Sequence, residues 1–244
     1  MTQEISGGPT PSSAEKSFLW SEDGQRVAAE GETIRIGDLS TYIRNQVLKA
    51  AECTLAIFEL LQLDPASTTF HSDPSSLRHD ASAASTGWTH PANVKVRDAS
   101  MEFRRAAIRY CAQSDSMEEG ISLDSASVKA LITIADKARR AALLAIFVSS
   151  GHCPRVQDLL LSTFKNQFSS MRDLKLGPDG QLSLLLGSNK TGYRSNIVTA
   201  RFCSPLLSDV VGTLTTVVRP ALDQIRALSS NVSPDHIPRH CFWL

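Results

Sequence analysis

Two short stretches of this chain hold residue types that can handle a phosphate. SSGHCPRVQDLLLSTFKN, residues 149–166, sets Arg155 between a long apolar run and a triple leucine. SNKTGYRS, residues 188–195, carries Lys190 beside a Thr-Gly turn. A guanidinium offers a planar fork to two oxygens of one phosphate, and a lysine held on a turn can pass a proton to a departing oxygen as a general acid. Such groups together would make a clamp of cations set in place before negative charge builds up in a transition state. Each also has a purely structural reading. Arg155 could cap its helix or pair with Asp158, and Lys190 could be an exposed hairpin lysine.

The elements that must position these residues can be read from periodicity. Residues 1–30 are rich in Ser, Gly, Pro and Glu with little to bury and read as a disordered tail. Residues 31–64 form an N-terminal helical region. Asp38 can cap the helix, and Leu39, Ile43, Val47, Ala50, Ile57, Phe58 and Leu61 recur at helical spacing before Pro65 stops it. Residues 65–96, polar and broken by Pro and Gly, read as a linker. A helix is expected near 98–113 with Phe103, Ala107, Ile108 and Cys111 on its apolar side. Arg104, Arg105 and Arg109 sit close together on it, as a solvated face or a phosphate-contacting one. Residues 122–149 hold two helices or one broken helix, and the apolar ALLAIFV end reads as buried all round. Pro154 then opens another helix. LSLLL (182–186) and NIVTA (196–200) read as two strands paired across the turn that bears Lys190. From Ser204 as cap, a helix follows that Pro220 bends or ends. The fold class expected is mainly α with a small antiparallel β-sheet (α+β).

Composition narrows the functional classes. The chain has 244 residues, 42% of them hydrophobic, and can bury a sizeable core. No apolar run approaches the ~20 residues of a membrane span, and MTQEISGGPTPSSAEK lacks the basic and apolar regions of a signal peptide. The five cysteines are scattered and odd in number, which fits a reduced intracellular setting. His236, His240 and Cys241 lack a fourth ligand and the spacing of a zinc site, so no metal or cofactor is expected. Net charge is zero, yet residues 1–100 hold 8 Lys+Arg against 13 Asp+Glu while the remainder holds 17 against 12. The C-terminal part is therefore the half better suited to a polyanion. Trp20 and Trp88 read as satellite packing, and His152 and Cys153 as buried or capping.

GHCPRVQDLL resembles the first motif of the tyrosine recombinase (phage integrase) catalytic domain, matched here by Arg155, Val156, Gln157, Asp158, Leu159 and Leu160. SNKTGYRS is similar to that family's lysine-bearing hairpin, and ARFCSPLLSDVVGTLTTVVRP to its arginine-led strand into a helix. The flavour is that of fungal Crypton-type recombinases and the related domains associated with telomere-linked helicases. The resemblance spans roughly residues 100–230 and implies a partial catalytic domain over 97–244. HIPRHCF, residues 236–242, is similar to the family's His-x-x-Arg segment, so the resemblance implies catalytic roles for Arg155, Lys190, His236 and Arg239, and DNA contacts by Lys165, Arg194 and Arg201. It also implies duplex DNA as partner, a mobile-element origin and a nuclear location. The family's reaction is attack by a tyrosine hydroxyl on a phosphodiester. Here the tyrosines are Tyr42, Tyr110 and Tyr193, all ahead of where that nucleophile belongs. The expectation is a C-terminally truncated or decayed recombinase-like protein that binds DNA without strand transfer. The reading from a different class is a helical interaction or scaffold protein in which Arg155 and Lys190 are structural.

Overall fold

The computed structural model describes residues 19–29, 32–68, 70, 93–112, 122–149, 159–160, 162–163, 173–176, 181–186 and 199–230. The chain divides into two compact units, 1–44 and 45–244. Its class is α+β, mainly helical with two small antiparallel sheets.

In the first unit three short strands, β1 (Leu19–Trp20), β2 (Arg26–Ala29) and β3 (Glu32–Arg35), form an antiparallel meander. They lie partly within the stretch whose composition reads as a tail, because strands of two to four residues are too short to show a period. The β1–β2 turn is held by its own polar side chains. Gly24 takes φ +65°, Ser21 Oγ accepts from the Arg26 N–H at 2.9 Å, and Asp23 Oδ1 accepts from the Gln25 N–H at 3.0 Å. Trp20, Val27 and Ile34 stand opposite one another across the three strands. Trp20 is 63% exposed in this row, so it does not pack as a satellite.

The helix α1 (Ile36–Leu60) starts two residues before Asp38, which therefore sits inside the first turn, where its charge suits the helix dipole. Its end is a Schellman motif. Gln62 takes φ 55°, the Leu63 N–H reaches Phe58 O at 2.9 Å and the Gln62 N–H reaches Glu59 O at 3.1 Å. Pro65 then opens a single turn, α2 (Pro65–Thr68). Phe70, just beyond it, is 1% exposed and donates its N–H to Thr213 Oγ1 at 3.0 Å. The helix α3 (Val94–Cys111) begins four residues earlier than its apolar pattern indicates and buries Phe103, Ala107 and Cys111. Phe103 meets Phe58 of α1 edge-to-face at 5.3 Å.

Residues 125–149 form one continuous helix, α4 (Ser125–Ser149). Its alanines 135, 138, 142 and 145 are buried, so neighbouring backbones can approach closely without a break in the helix. The apolar end is not buried all round, since Leu144 is 40% exposed. Asp124 caps α4, accepting from the Ser127 N–H at 2.8 Å and the Ser127 hydroxyl at 2.6 Å. These bonds hold its carboxyl below the ordinary carboxylate range. A group whose folded pKa is depressed stabilises the fold above its unfolded pKa and loses that contribution as pH falls through the folded value. Asp124→Ala should therefore lower Tm at pH 7. The gap to the wild type should close as pH drops below about 4, while Asp124→Asn, which keeps the acceptor, should lose little at pH 7. Thermal melts by circular dichroism across pH 3–7 check this.

The second sheet is a meander of β4 (Leu174–Leu176), β5 (Leu182–Leu186) and β6 (Thr199–Phe202). LSLLL thus pairs antiparallel with the strand after the Lys190 turn, as the pattern predicts, although the second strand is described from Thr199 onward. Leu174, Leu184 and Arg201 are in register on one side of the sheet. Ser204 caps α5 (Pro205–Thr213) by accepting from the Leu207 N–H. The helix widens to a π turn at Leu214–Val218 and continues as α6 (Arg219–Ser230). In the wide turn the Arg219 N–H reaches back five residues to Leu214 O. That extra residue per turn, immediately ahead of Pro220, lets a ring without an N–H pass where a regular helix would clash. Pro220 consequently does not end the helix.

Candidate functional site

Of the residues singled out for phosphate chemistry, Arg155, Lys165, Lys190, Arg194, His236 and Arg239 lie outside the described residues, as do His240 and Cys241. What is described is the frame on either side of the first four. Leu159 is 1% exposed, and Ser162 Oγ donates to Leu159 O at 2.7 Å. Thr163 is then clasped to Asp173. Its N–H and hydroxyl donate to Asp173 Oδ2 at 2.8 and 3.0 Å, and Thr163 O accepts from the Asp173 and Leu174 N–H groups, both at 3.0 Å. This ties the piece that follows Arg155 to the start of β4.

Asp173 O in turn accepts from the Leu185 N–H at 2.8 Å. Leu185 adjoins Leu186, which stands directly opposite Thr199. The connection 187–198, with Lys190 and Arg194 in it, therefore leaves and re-enters at the same end of the sheet at which Thr163 is clasped. The described residues Thr163, Leu186 and Thr199 are thus held at one sheet end.

Of the residues that the resemblance marks for DNA contact, Arg201 is described. It lies on the buried side of the sheet, in register with Leu184, and is 8% exposed. The opposite side at that end of β6 carries Phe202, 63% exposed.

A network of charges that motif reading missed joins α4 to α6. Arg139 Nη1 donates to Asp136 Oδ1 at 3.1 Å, and Arg226 Nη2 approaches the same oxygen at 3.9 Å. Burial pulls the Arg139 pKa down, opposed by Asp136 and reinforced by Arg226. Arg219 pairs with Asp223 at 3.6 Å, the two side chains 7% and 15% exposed. The spacings i,i+3 and i,i+4 were legible, but that both pairs meet at one helix interface was not.

Hollows open on the second unit among the described residues. One of about 700 Å³ lies between the end of α1 and α3, where Arg105 and Arg109 share the wall with Asp98, Glu102 and Tyr110. Its charges balance, in keeping with a solvated face. A second, about 470 Å³, lies between α1 and α4 and is lined by Lys49, Lys137 and Arg140 with Gln46, Thr133 and Asp136. A third, about 630 Å³, is lined by Lys129 and Thr133 of α4 and by Leu228 and Ser229 of α6, Thr133 being common to it and the second.

Two of the buried thiols do not suit nucleophilic work. Burial, with Asp124 adding to it, pushes Cys111 up to about 11, and burial alone pushes Cys203 to about 12. Among the described residues no group of three His, Cys, Asp or Glu side chains could hold a metal ion, and no helix is long and apolar enough to cross a membrane. No family model, curated protein or solved structure matches the chain. The fold is α+β, mainly helical with two small antiparallel sheets.

Proposed function

We propose that this chain is a duplex-DNA-binding protein of the tyrosine-recombinase-like kind, in which Arg155 and Lys190 serve as a clamp for backbone phosphate. The observation that carries this reading is the shared sheet end. The segment following Arg155 is clasped through Thr163 to Asp173, and the Lys190 connection departs from the adjoining Leu186–Thr199 pair. Two cations meant for one phosphate must be anchored to a common frame, since a clamp held within about 0.5 Å of productive geometry needs rigid support. A helix before Arg155, a meander whose second connection bears Lys190, and a capped helix after it follow the order that the motif resemblance implies. Arg194 shares the Lys190 connection and Lys165 follows the Thr163 clasp, so both would extend the same positive surface. Arg201, held on the buried face, would support the sheet. The proposed nuclear location rests on the same resemblance.

The reaction itself is not expected of this polypeptide. Tyr42 lies in the first unit, Tyr110 is half-buried on α3 beside Arg109, and Tyr193 shares the connection with Lys190. None follows the sheet on a later helix, where an in-line attack would require it.

Two measurements test the reading. Incubation with a nicked suicide duplex should trap no covalent adduct, and a phosphotyrosyl species would overturn the claim of inactivity. Titration of a labelled duplex should give weak binding, with a dissociation constant of about 10⁻⁴ to 10⁻⁶ M at physiological salt. Arg155→Ala/Lys190→Ala should shallow the slope of log affinity against log salt by about 2, at ~0.9 for each phosphate that the variant no longer neutralises. Absence of duplex binding at low salt by the folded protein would leave the interaction or scaffold reading.

A further inference from the structure

We infer that the groove between α1 and α4 is a second, separate contact for duplex DNA, taking the phosphate backbone rather than base edges. The inference rests on the DNA-binding reading above but on none of its residues. The groove walls carry Lys49 from α1 and Lys137 and Arg140 from α4. All three are exposed, and among the described residues no carboxylate lies within ion-pair distance of them. The one acid on the wall, Asp136, is already engaged. Its Oδ1 takes Arg139 at 3.1 Å and Arg226 at 3.9 Å, so it does little to cancel the groove's positive charge.

The shape favours a linear polyanion over a single small anion. Lys129, Thr133, Lys137, Arg140 and Leu144 follow at steps of three or four residues, one continuous face of α4. From Lys129 to Arg140 that face runs about 16 Å at ~1.5 Å per residue. The two hollows along it share Thr133 in their linings. Cations spread over such a length cannot converge on one phosphate, but they match the succession of phosphates along a strand, spaced ~3.4 Å in helix rise. Gln46 on the opposite wall is of the side-chain type that adds backbone and sugar contacts without reading sequence. Single-stranded RNA and acidic peptides share the charge, and the test separates them.

The experiment uses the full chain with a labelled 20-base-pair duplex and measures affinity over a range of salt. Lys49→Gln/Lys137→Gln/Arg140→Gln should weaken binding about tenfold at 100 mM salt and shallow the salt slope by about 3, one phosphate per cation. The change should be equal for duplexes of different sequence. Lys137→Arg/Arg140→Lys, which keeps the charges, should retain the wild-type slope. Unchanged circular dichroism and Tm in both variants confirm that only the surface has altered. Wild-type binding that the triple variant leaves untouched, while Arg155→Ala/Lys190→Ala reduces it, overturns the second contact and leaves the first. Failure of the wild type to bind duplex at low salt overturns both. Equal or tighter binding of single-stranded RNA, or of a poly-glutamate peptide, with the same dependence on the three cations overturns the assignment to duplex DNA.

Discussion

Gly212→Ala should destabilise the protein by about 3 kcal/mol, the upper part of the range for forcing extra volume into a packed core. The sign is the informative part. Glycine inside a helix is worse than alanine by roughly 1 kcal/mol, so at an ordinary helical site this substitution would stabilise. Gly212 lies within α5, buried, and a methyl group on its Cα would overlap Cδ1 of Phe70 and lie 2.7 Å from that ring's Cγ. The ring cannot easily yield, because Phe70 is 1% exposed and its backbone N–H is fixed to Thr213 Oγ1 at 3.0 Å. Phe70→Ala should itself cost about 3–5 kcal/mol through the cavity it leaves. Combining the two should cost clearly less than their sum, by at least about 1 kcal/mol, since the new methyl group occupies space the ring has vacated. Urea unfolding of the two single variants and the double gives the cycle. A stabilising Gly212→Ala would refute the notch.

Asp223→Ala should lower stability by about 3 kcal/mol, because it removes the carboxylate beside a guanidinium that is only 7% exposed. A charge taken from water needs a partner, and the cost of leaving Arg219 without this one outweighs whatever the pair contributes to the wild type. Replacing both members together, as Arg219→Met/Asp223→Leu, should recover most of the loss. The second variant therefore separates the expense of taking a carboxylate from beside a buried charge from simple loss of packing. If the double variant is as unstable as Asp223→Ala, the charge argument fails and shape alone matters at that interface.

The local chemistry of the chain determined much of the helical frame. In α1, α3 and α4 the apolar residues recur at 3.6-residue spacing. Val47, Ala50, Ile57 and Phe58, and likewise Phe103, Ala107 and Cys111, are buried on the faces that this spacing marks. Ser204 ahead of Pro205 signals a helix start because a hydroxyl and a ring without an N–H both suit an unsatisfied first turn, and the cap is there. The β5–β6 pairing was equally legible, since two apolar runs flank a Gly-containing connection. Arg155 and Lys190 themselves fall outside the described residues.

Tertiary structure alone decided the rest, and the common cause is distance along the chain. Nothing near Phe70 announces that its ring will fill the space over a glycine 142 positions later. The strands of the first sheet are individually too short to carry a period, so their pairing is what makes them strands. Sequence pattern leaves 122–149 as two helices or one broken helix, whereas residues 125–149 form one continuous helix with a row of alanines buried along it. The family resemblance marks Arg201 for DNA contact, yet its register opposite Leu184 turns it to the buried side, because successive side chains on a strand face opposite ways. The positive groove likewise needed Lys49 brought beside Lys137 and Arg140. Periodicity records which face of an element is apolar, and only packing decides which faces meet.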